Sequence, residues 1–323
     1  MKIEQRNIIP VVLFTYARPV HLNQVLGSLK KNNVPLIYAF SDGPKNKDRE
    51  SAVLEVRKIL NKVDWCDIKI VEREKNLGLG VSVRTGVEEV FKYHDKCVVI
   101  EDDIVLLNGA YEFICKALEF YENEPDVMSV SLWSDPKLVP KNVKASPVFF
   151  CPRFNCWGWG TYRKSWVGME RTALEIFNDC KKKNSLIKGL TDDYESMAKD
   201  EITRNIWAVR FGLLHILNQK VNVWPTKSWV ENIGLDGSGT NSTIRKRKIL
   251  KERVQSINEL YFPKYVRVNA NAKLFAKFYK QTLFDKLIHV VSKLFWLLWG
   301  KLYYKNKKYS VIKCFFCKKR TGE

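Results

Sequence analysis

The chain has 323 residues, 46% of them hydrophobic, enough to bury one large domain or a domain with an appendage, and it shows no internal repeat or long low-complexity stretch. Its formal charge of +20 is unevenly placed: residues 244–323 hold 21 of the 55 Lys/Arg and 4 of the 35 Asp/Glu, a balance of +17, against +3 for residues 1–243. The basicity therefore belongs to the tail, not to a catalytic body, and no nucleic-acid motif accompanies it.

The opening residues lack the pattern of a secretory signal, and the eight cysteines (66, 97, 115, 151, 156, 180, 314, 317) show no disulfide-scaffold rhythm. Reduced thiols are the expectation. Cys314 and Cys317 have the spacing of a zinc or redox pair, but no second Cys/His pair lies near them, so membrane-facing or buried thiols are the plainer reading.

The first half alternates apolar runs with helical patterns. Ile8–Phe14 reads as a strand and is followed by the loop Thr15-Tyr16-Ala17-Arg18-Pro19. Leu22, Val25, Leu26 and Leu29 then mark one face of a helix over about His21–Lys31. A second strand over Pro35–Phe40 ends in Ser41-Asp42-Gly43-Pro44, and a helix over Lys47–Lys62 leads to a strand over Ile68–Val71. Next come the loop Asn76-Leu77-Gly78-Leu79-Gly80, a helix over about Val81–Tyr93 and a strand over Cys97–Ile100. This order predicts a parallel sheet with right-handed crossovers, a nucleotide-binding type of core. Beyond it, Val127–Leu132 and Val148–Phe150 read as strands, Cys156–Thr161 as an aromatic, glycine-rich loop, and parts of 162–218 as helices.

The strand ending at Ile100 runs straight into Glu101-Asp102-Asp103. Adjacent carboxylates repel one another, and hard oxygen donors of this kind suit Mg2+ or Mn2+ shared with substrate phosphates. The plain alternative is a solvated acidic turn. In a doubly wound sheet the loops bearing Arg18, Asp42-Gly43 and Asn76–Gly80 would meet these acids at one cleft. Asp42 is suited to accept from a base N–H or a ribose hydroxyl, and Arg18 and Arg84 to pair with phosphates.

On the strength of Thr15-Tyr16-Ala17-Arg18-Pro19, Ser41-Asp42-Gly43, Asn76-Leu77-Gly78 with Arg84, and Glu101-Asp102-Asp103, the chain resembles the GT-A glycosyltransferases. It is similar in particular to the family-2-like bacterial enzymes and the N-acetylglucosaminyltransferase I family, over about residues 8–243. The resemblance implies an α/β nucleotide-diphospho-sugar transferase fold, Rossmann-like, with a mostly parallel sheet and flanking helices. It implies that Asp42 contacts the nucleobase, that Asp102 lies near the ribose or donor sugar, and that Asp103 coordinates Mn2+ or Mg2+ on the donor diphosphate. Thr15, Tyr16, Arg18, Gly43, Asn76, Gly78, Arg84 and Glu101 complete the expected donor site.

An inverting transfer also needs a carboxylate to deprotonate the acceptor hydroxyl. Asp192, Asp193, Glu195, Asp200 and Glu201 are candidates, and Asp200 or Glu201 is the choice taken here, with solvated helix charges as the bland reading. The related enzymes carry Asp-Asp-Trp near this point, where this chain has Asn205-Ile206-Trp207. Trp157 and Trp159 offer flat faces for an acceptor sugar, or else belong to a core cluster. Gly234–Thr240 has the composition of a lid or of a surface turn. His21 and His215 read as ordinary helix residues, and no histidine has metal-ligand spacing.

From about Leu274 to Tyr304 the pattern is an amphipathic helix with recurring lysines, and its apolar stretch Leu287–Trp299 is too short and too interrupted to span a bilayer. An interfacial helix against anionic lipid is the expectation, extended by the basic runs Lys305–Lys308 and Lys318–Arg320. The division expected is a transferase domain over 1–243 and a membrane-associating region over 244–323. The expected activity is a metal-assisted, inverting transfer from a nucleotide sugar (a UDP-sugar) to a glycan or lipid-linked acceptor in surface polysaccharide biosynthesis. Its expected place is the cytoplasm, peripheral on the inner face of the cell membrane. Two alternatives remain. A nucleotidyltransferase acting on sugar phosphates would carry a glycine-rich basic loop where this chain has Thr15–Pro19. A non-catalytic membrane scaffold would have no need of the strand-end acids.

Overall fold

The computed structural model describes residues 8–143, 146–204, 206–235 and 261–279. Its first half follows the apolar periodicity closely. Strands β1 (Val11–Thr15), β2 (Leu36–Ser41), β3 (Asp67–Glu72) and β4 (Lys96–Glu101) alternate with helices α1 (Pro19–Lys31), α2 (Lys47–Leu60) and α3 (Leu79–Val90). All four strands are parallel, in the order β3-β2-β1-β4, so their carboxyl ends lie along one edge. Proline at the first position of α1, with Lys30 and Lys31 in its last turn, suits the helix geometry and dipole.

The second half supplies β5 (Ile104–Leu106), α4 (Ala110–Phe120), β6 (Val127–Ser131), β7 (Val148–Cys151) and β8 (Trp159–Tyr162). Helices α5 (Ala173–Lys182), α6 (Tyr194–Arg204) and α7 (Ala208–Leu217) follow, then β9 (Val221–Pro225), β10 (Val230–Asn232) and α8 (Ala272–Tyr279). The main sheet has eight strands in the order β3-β2-β1-β4-β8-β6-β9-β7, mostly parallel, while β5 and β10 form a separate antiparallel pair. The fold is thus a mixed α/β sandwich with helices on both faces. Successive residues of one strand divide between the two cores: Val11 and Leu13 pack with α1 and α4, Val12 and Phe14 with α3 and α7.

Two sequence expectations need correction. Residues 159–161 are not loop: β8 inserts antiparallel between β4 and β6. Gly160 permits that insertion, since a Cβ there would lie 2.7 Å from Leu118 and 3.2 Å from the Cys97 carbonyl oxygen. Trp159, expected on an acceptor surface, is fully buried, stacked on Trp166 at 5.7 Å and packed against Phe154 and Trp207. The β8 residues Trp-Gly-Thr-Tyr form no apolar run of their own. Only burial on both sheet faces makes them a strand.

The first compact unit ends at Phe278. Phe262 packs on Phe113 and Tyr121, and Phe275 meets Trp224 edge-on at 5.5 Å. Of the helix expected over 274–304, the stretch through Tyr279 is helical, and Phe275 faces the body instead of a bilayer. Leu287–Trp299, both basic runs, Cys314 and Cys317 lie outside the described residues, as does most of the expected lid at 234–240. Among the described residues no helix is long and apolar enough to cross a membrane.

Phe275 is 0% exposed, so Phe275→Ala should lower the unfolding free energy by about 3–5 kcal/mol. Urea denaturation measures this, and an unchanged midpoint would mean that the segment does not belong to the core.

Candidate active site

The site sits where a parallel sheet leaves backbone groups and loop side chains free, outside the carboxyl ends of β1, β2 and β4. The Tyr16 amide N–H donates to Asp102 Oδ2 at 3.2 Å. One guanidinium nitrogen of Arg18, Nη1, reaches both Asp103 Oδ2 at 2.8 Å and Asp102 Oδ1 at 3.5 Å. The loop after β1 thereby wraps the acids that follow β4. After β10, the Ile233 amide donates to the Asp103 carbonyl at 2.9 Å. Gly234 comes so close that a Cβ on it would lie 2.1 Å from Asp103 Oδ2. The start of the expected lid therefore borders Asp103.

Three adjacent acids face one arginine, and their ionisation reflects it. Burial first, then the charges of Asp103 and Asp102, push the Glu101 carboxyl up to about 8, even though the Trp207 side chain hydrogen-bonds to it. Burial and Asp103 push Asp102 up to about 7, against the lowering pull of Arg18 and the Tyr16 amide. Among the described residues Arg18 brings the one guanidinium to the cluster, and the carboxylate oxygens are of the kind that bind hard divalent ions. Among the described residues no group of three His, Cys, Asp or Glu side chains is arranged to hold a metal. Two convergent carboxylates fit a cation that takes its remaining ligands from substrate phosphates.

Asp42 has a defined task in the structure. Its Oδ1 accepts from the Leu77 amide at 2.9 Å and the Gly43 amide at 3.1 Å, and its Oδ2 accepts from the Gly78 amide at 2.9 Å. Asn76 Nδ2 donates to the Gly43 carbonyl at 2.8 Å. These bonds lock the loop after β2 to the loop that opens α3. Gly43 is required there, since a Cβ would lie 2.5 Å from the Lys75 backbone. The Asp42 amide donates to Thr15 O, and Tyr16 Oη accepts from the Lys45 amide, so this pair of loops is tied to the loop after β1.

The other expected residues are placed differently. Glu201 is buried, with Oε2 accepting from the Ala173 amide at 2.9 Å and Oε1 accepting from Arg210 Nε. Arg84 approaches the same carboxylate at 3.9 Å, so it joins Glu201 and not the pairing of Arg18 with the acids. Asp200, half-exposed on α6, does not line the cavity that Glu201 lines. Asp193 is bound bidentately by Arg153 at 2.7 Å, and Glu195 pairs with Lys199 at 2.8 Å. Trp157 is half-buried, edge-to-face with Trp133 at 4.9 Å. His215 is a core residue on α7, bonded to Ser129 and held well toward the neutral form by burial, down to about 4.

Sequence reasoning missed the contact of Trp207 with Glu101 and the approach of Gly234 to Asp103. Both link residues more than a hundred positions apart, and no local spacing signals them.

No protein-family profile and no curated protein sequence matches the chain. Among solved structures it is similar to a mannosyltransferase from Pyrobaculum calidifontis in complex with GDP-Man and Mn2+, at 15% identity and a TM-score of 0.35. That likeness covers 49% of this chain and 45% of that one, so the chain spans less than half the mannosyltransferase's length. It is also similar to a 4-diphosphocytidyl-2C-methyl-D-erythritol synthase from Anaerococcus prevotii, at 12% identity and a TM-score of 0.31, covering 62% of this chain and 86% of that one. Likenesses this shallow assign no role to any residue here.

The raised carboxyls have a measurable consequence. Asp102 ionises near 3.8 in an unfolded chain and near 7 in the folded one, so between these values the folded state holds a proton that the unfolded state has released. Its contribution is complete below about pH 4 and is lost as pH rises through 7. In chelator-treated protein, Asp102→Asn should flatten the fall in unfolding free energy between pH 4 and 8, measured by urea titration at each pH. An identical slope in the variant would show that Asp102 is not withdrawn from solvent.

Proposed function

We propose that this chain is a glycosyltransferase of the GT-A type, moving a sugar from a nucleotide-sugar donor, with a UDP-sugar as the favoured donor, to an acceptor hydroxyl. The observation that carries this reading is the meeting at one sheet edge of Arg18, Asp102 and Asp103 with the loops locked by Asp42. Each group there has a use in handling a nucleoside diphosphate.

Asp103, with Asp102 beside it, would hold the divalent cation, Mn2+ or Mg2+, which when bound supplies the charge that stabilises a diphosphate leaving group. In the free chain Arg18 partly balances the acids, and its guanidinium lies where phosphate oxygens would compete for it. The three amide bonds to Asp42 hold the Gly43 and Asn76–Gly78 backbones in a fixed shape, a preorganised wall for the base and ribose. Gly234, with no side chain, lets the backbone after β10 approach Asp103 closely. Inversion is the stereochemical course that the resembled families support.

The acceptor is proposed to be a glycan or a lipid-linked glycan of surface polysaccharide assembly. The support is the composition of residues 280–323, where lysines, leucines and tryptophans recur together. Such a segment suits an anionic membrane surface, with the enzyme peripheral on the cytoplasmic face.

Calorimetric titration with UDP, with and without Mn2+, tests the donor site. Wild type should bind UDP far more tightly with Mn2+ than without it. Asp103→Ala should lose at least about a hundredfold of that binding, as befits removal of a cation ligand, with an unchanged circular dichroism spectrum. Sugar release from a panel of nucleotide sugars should disappear in the same variant. Full activity in Asp103→Ala, or pyrophosphate release from a nucleoside triphosphate and a sugar phosphate, would overturn the reading. For the membrane proposal, removing residues 280–323 should abolish co-sedimentation with liposomes containing phosphatidylserine. Unchanged sedimentation would contradict it.

A further inference from the structure

A second feature lies beside the acids and is not explained by donor binding. Between the first turns of α3 and the junction of α6 with α7 is a cavity of about 130 Å³, lined by Arg84, Arg210, Glu201, Trp207, Val81 and Ile202 among others. Sites that enclose whole small molecules are larger, from about 300 Å³ upward, so this one is sized for a single functional group. Its apolar wall includes Ile206 and Ile202, the latter 80% exposed at the rim.

The charges in this cavity do not balance. Glu201 is its single carboxylate, and both oxygens are taken, one by the Ala173 amide and the other by Arg210 Nε. Arg210 is itself held by the Met169 carbonyl at 3.0 Å and is 7% exposed. Arg84 is left at 3.9 Å from Glu201, beyond hydrogen-bond distance, with its side chain 22% exposed. Two guanidinium groups therefore share one carboxylate that is already engaged. Partial burial and the nearby Arg210 lower the Arg84 pKa, against the raising pull of Glu201 and of Glu88, one turn further along α3. Trp207 connects this cavity to the acids, since it lines the cavity and hydrogen-bonds Glu101.

We infer that Arg84 is the recognition group of an oxyanion subsite for the acceptor, separate from the donor diphosphate site, and that the acceptor carries a carboxylate or phosphate close to its accepting hydroxyl. Arg210 and Glu201 act as positioning residues: their mutual ion pair orients the cavity floor and leaves Arg84, at 3.9 Å from Glu201, able to turn to the ligand's charge. The apolar rim suits the uncharged ring or lipid portion of the same molecule. This inference rests on the transferase reading for the word acceptor, while the anion site itself does not.

The test is calorimetric titration of the full-length protein with inorganic phosphate and, separately, with glucuronate, with glucose as the uncharged control. Each titration is run with and without saturating UDP and Mn2+. The expected result is binding of at least one anion but not glucose, undiminished by UDP and Mn2+. Glucuronate preference identifies an acidic sugar, and phosphate preference a phosphorylated acceptor. Arg84→Gln should weaken the anion about tenfold or more, and Arg84→Lys less, because the charge is kept while the fork geometry is lost. Unfolding midpoints of both variants establish that they fold, and Arg84→Lys carries the test if Arg84→Gln does not. No anion binding, equal binding in Arg84→Gln, or displacement by UDP with Mn2+ would overturn the proposal. Failure of UDP itself to bind would instead sink the transferase reading, so the two results are separable.

Discussion

The excess of negative charge at the end of β4 is the constraint to which the rest of the site answers. Glu101, Asp102 and Asp103 are consecutive, they are largely withdrawn from water, and among the described residues a single guanidinium, that of Arg18, lies against them. Burying adjacent carboxyls is costly unless hydrogen bonds and opposite charge offset it. Remote parts of the chain converge to do so. Among the described residues these are three: the loop after β1 contributes the Tyr16 amide and Arg18, the start of α7 contributes Trp207, and the segment after β10 brings its backbone against Asp103. The compensation is partial, which is why two of the carboxyls ionise late.

Around that centre the loops are held by a different device. Asp42 uses both carboxylate oxygens on backbone amides of its own turn and of the turn that opens α3. A charged acceptor bound to three amides is among the stronger local fasteners available to a chain. It makes the loops after β2 and β3 a single unit, and the hydrogen bond from Asp42 to Thr15 O joins that unit to β1. The cleft edge is therefore rigid on the Asp42 side, while the acids carry the unbalanced charge.

Beneath the acids, the aromatic cluster of Phe154, Trp159, Trp166, Trp207 and Phe211 fixes where α7 begins. Trp207 belongs to this cluster and also faces the cavity of Arg84 and Glu201. One side chain thus serves the core, the acid cluster and the neighbouring cavity. Movement of α7 would be felt at all three, because packed aromatic cores do not deform continuously.

What the sequence by itself determined is the half of the fold built on local periodicity. Buried parallel strands must be apolar on both faces, so β1, β2 and β4 appear as unbroken runs, and the helices between them appear as amphipathic stripes. The polar loops at their carboxyl ends were legible for the same reason, as was the order in which Arg18, Asp42, Asn76 and the acids line one edge. The amino-acid pattern did not disclose the reversed insertion of β8, the burial of Trp159 or the docking of Phe275. Nor did it reveal that Glu201 belongs to Arg210 and Arg84. Each of these depends on a partner far away in the chain, and a residue's chemistry alone does not reveal whether its surroundings will be solvent, core or an opposite charge. Only the closed tertiary structure, which brings those partners within a few ångströms, decides it.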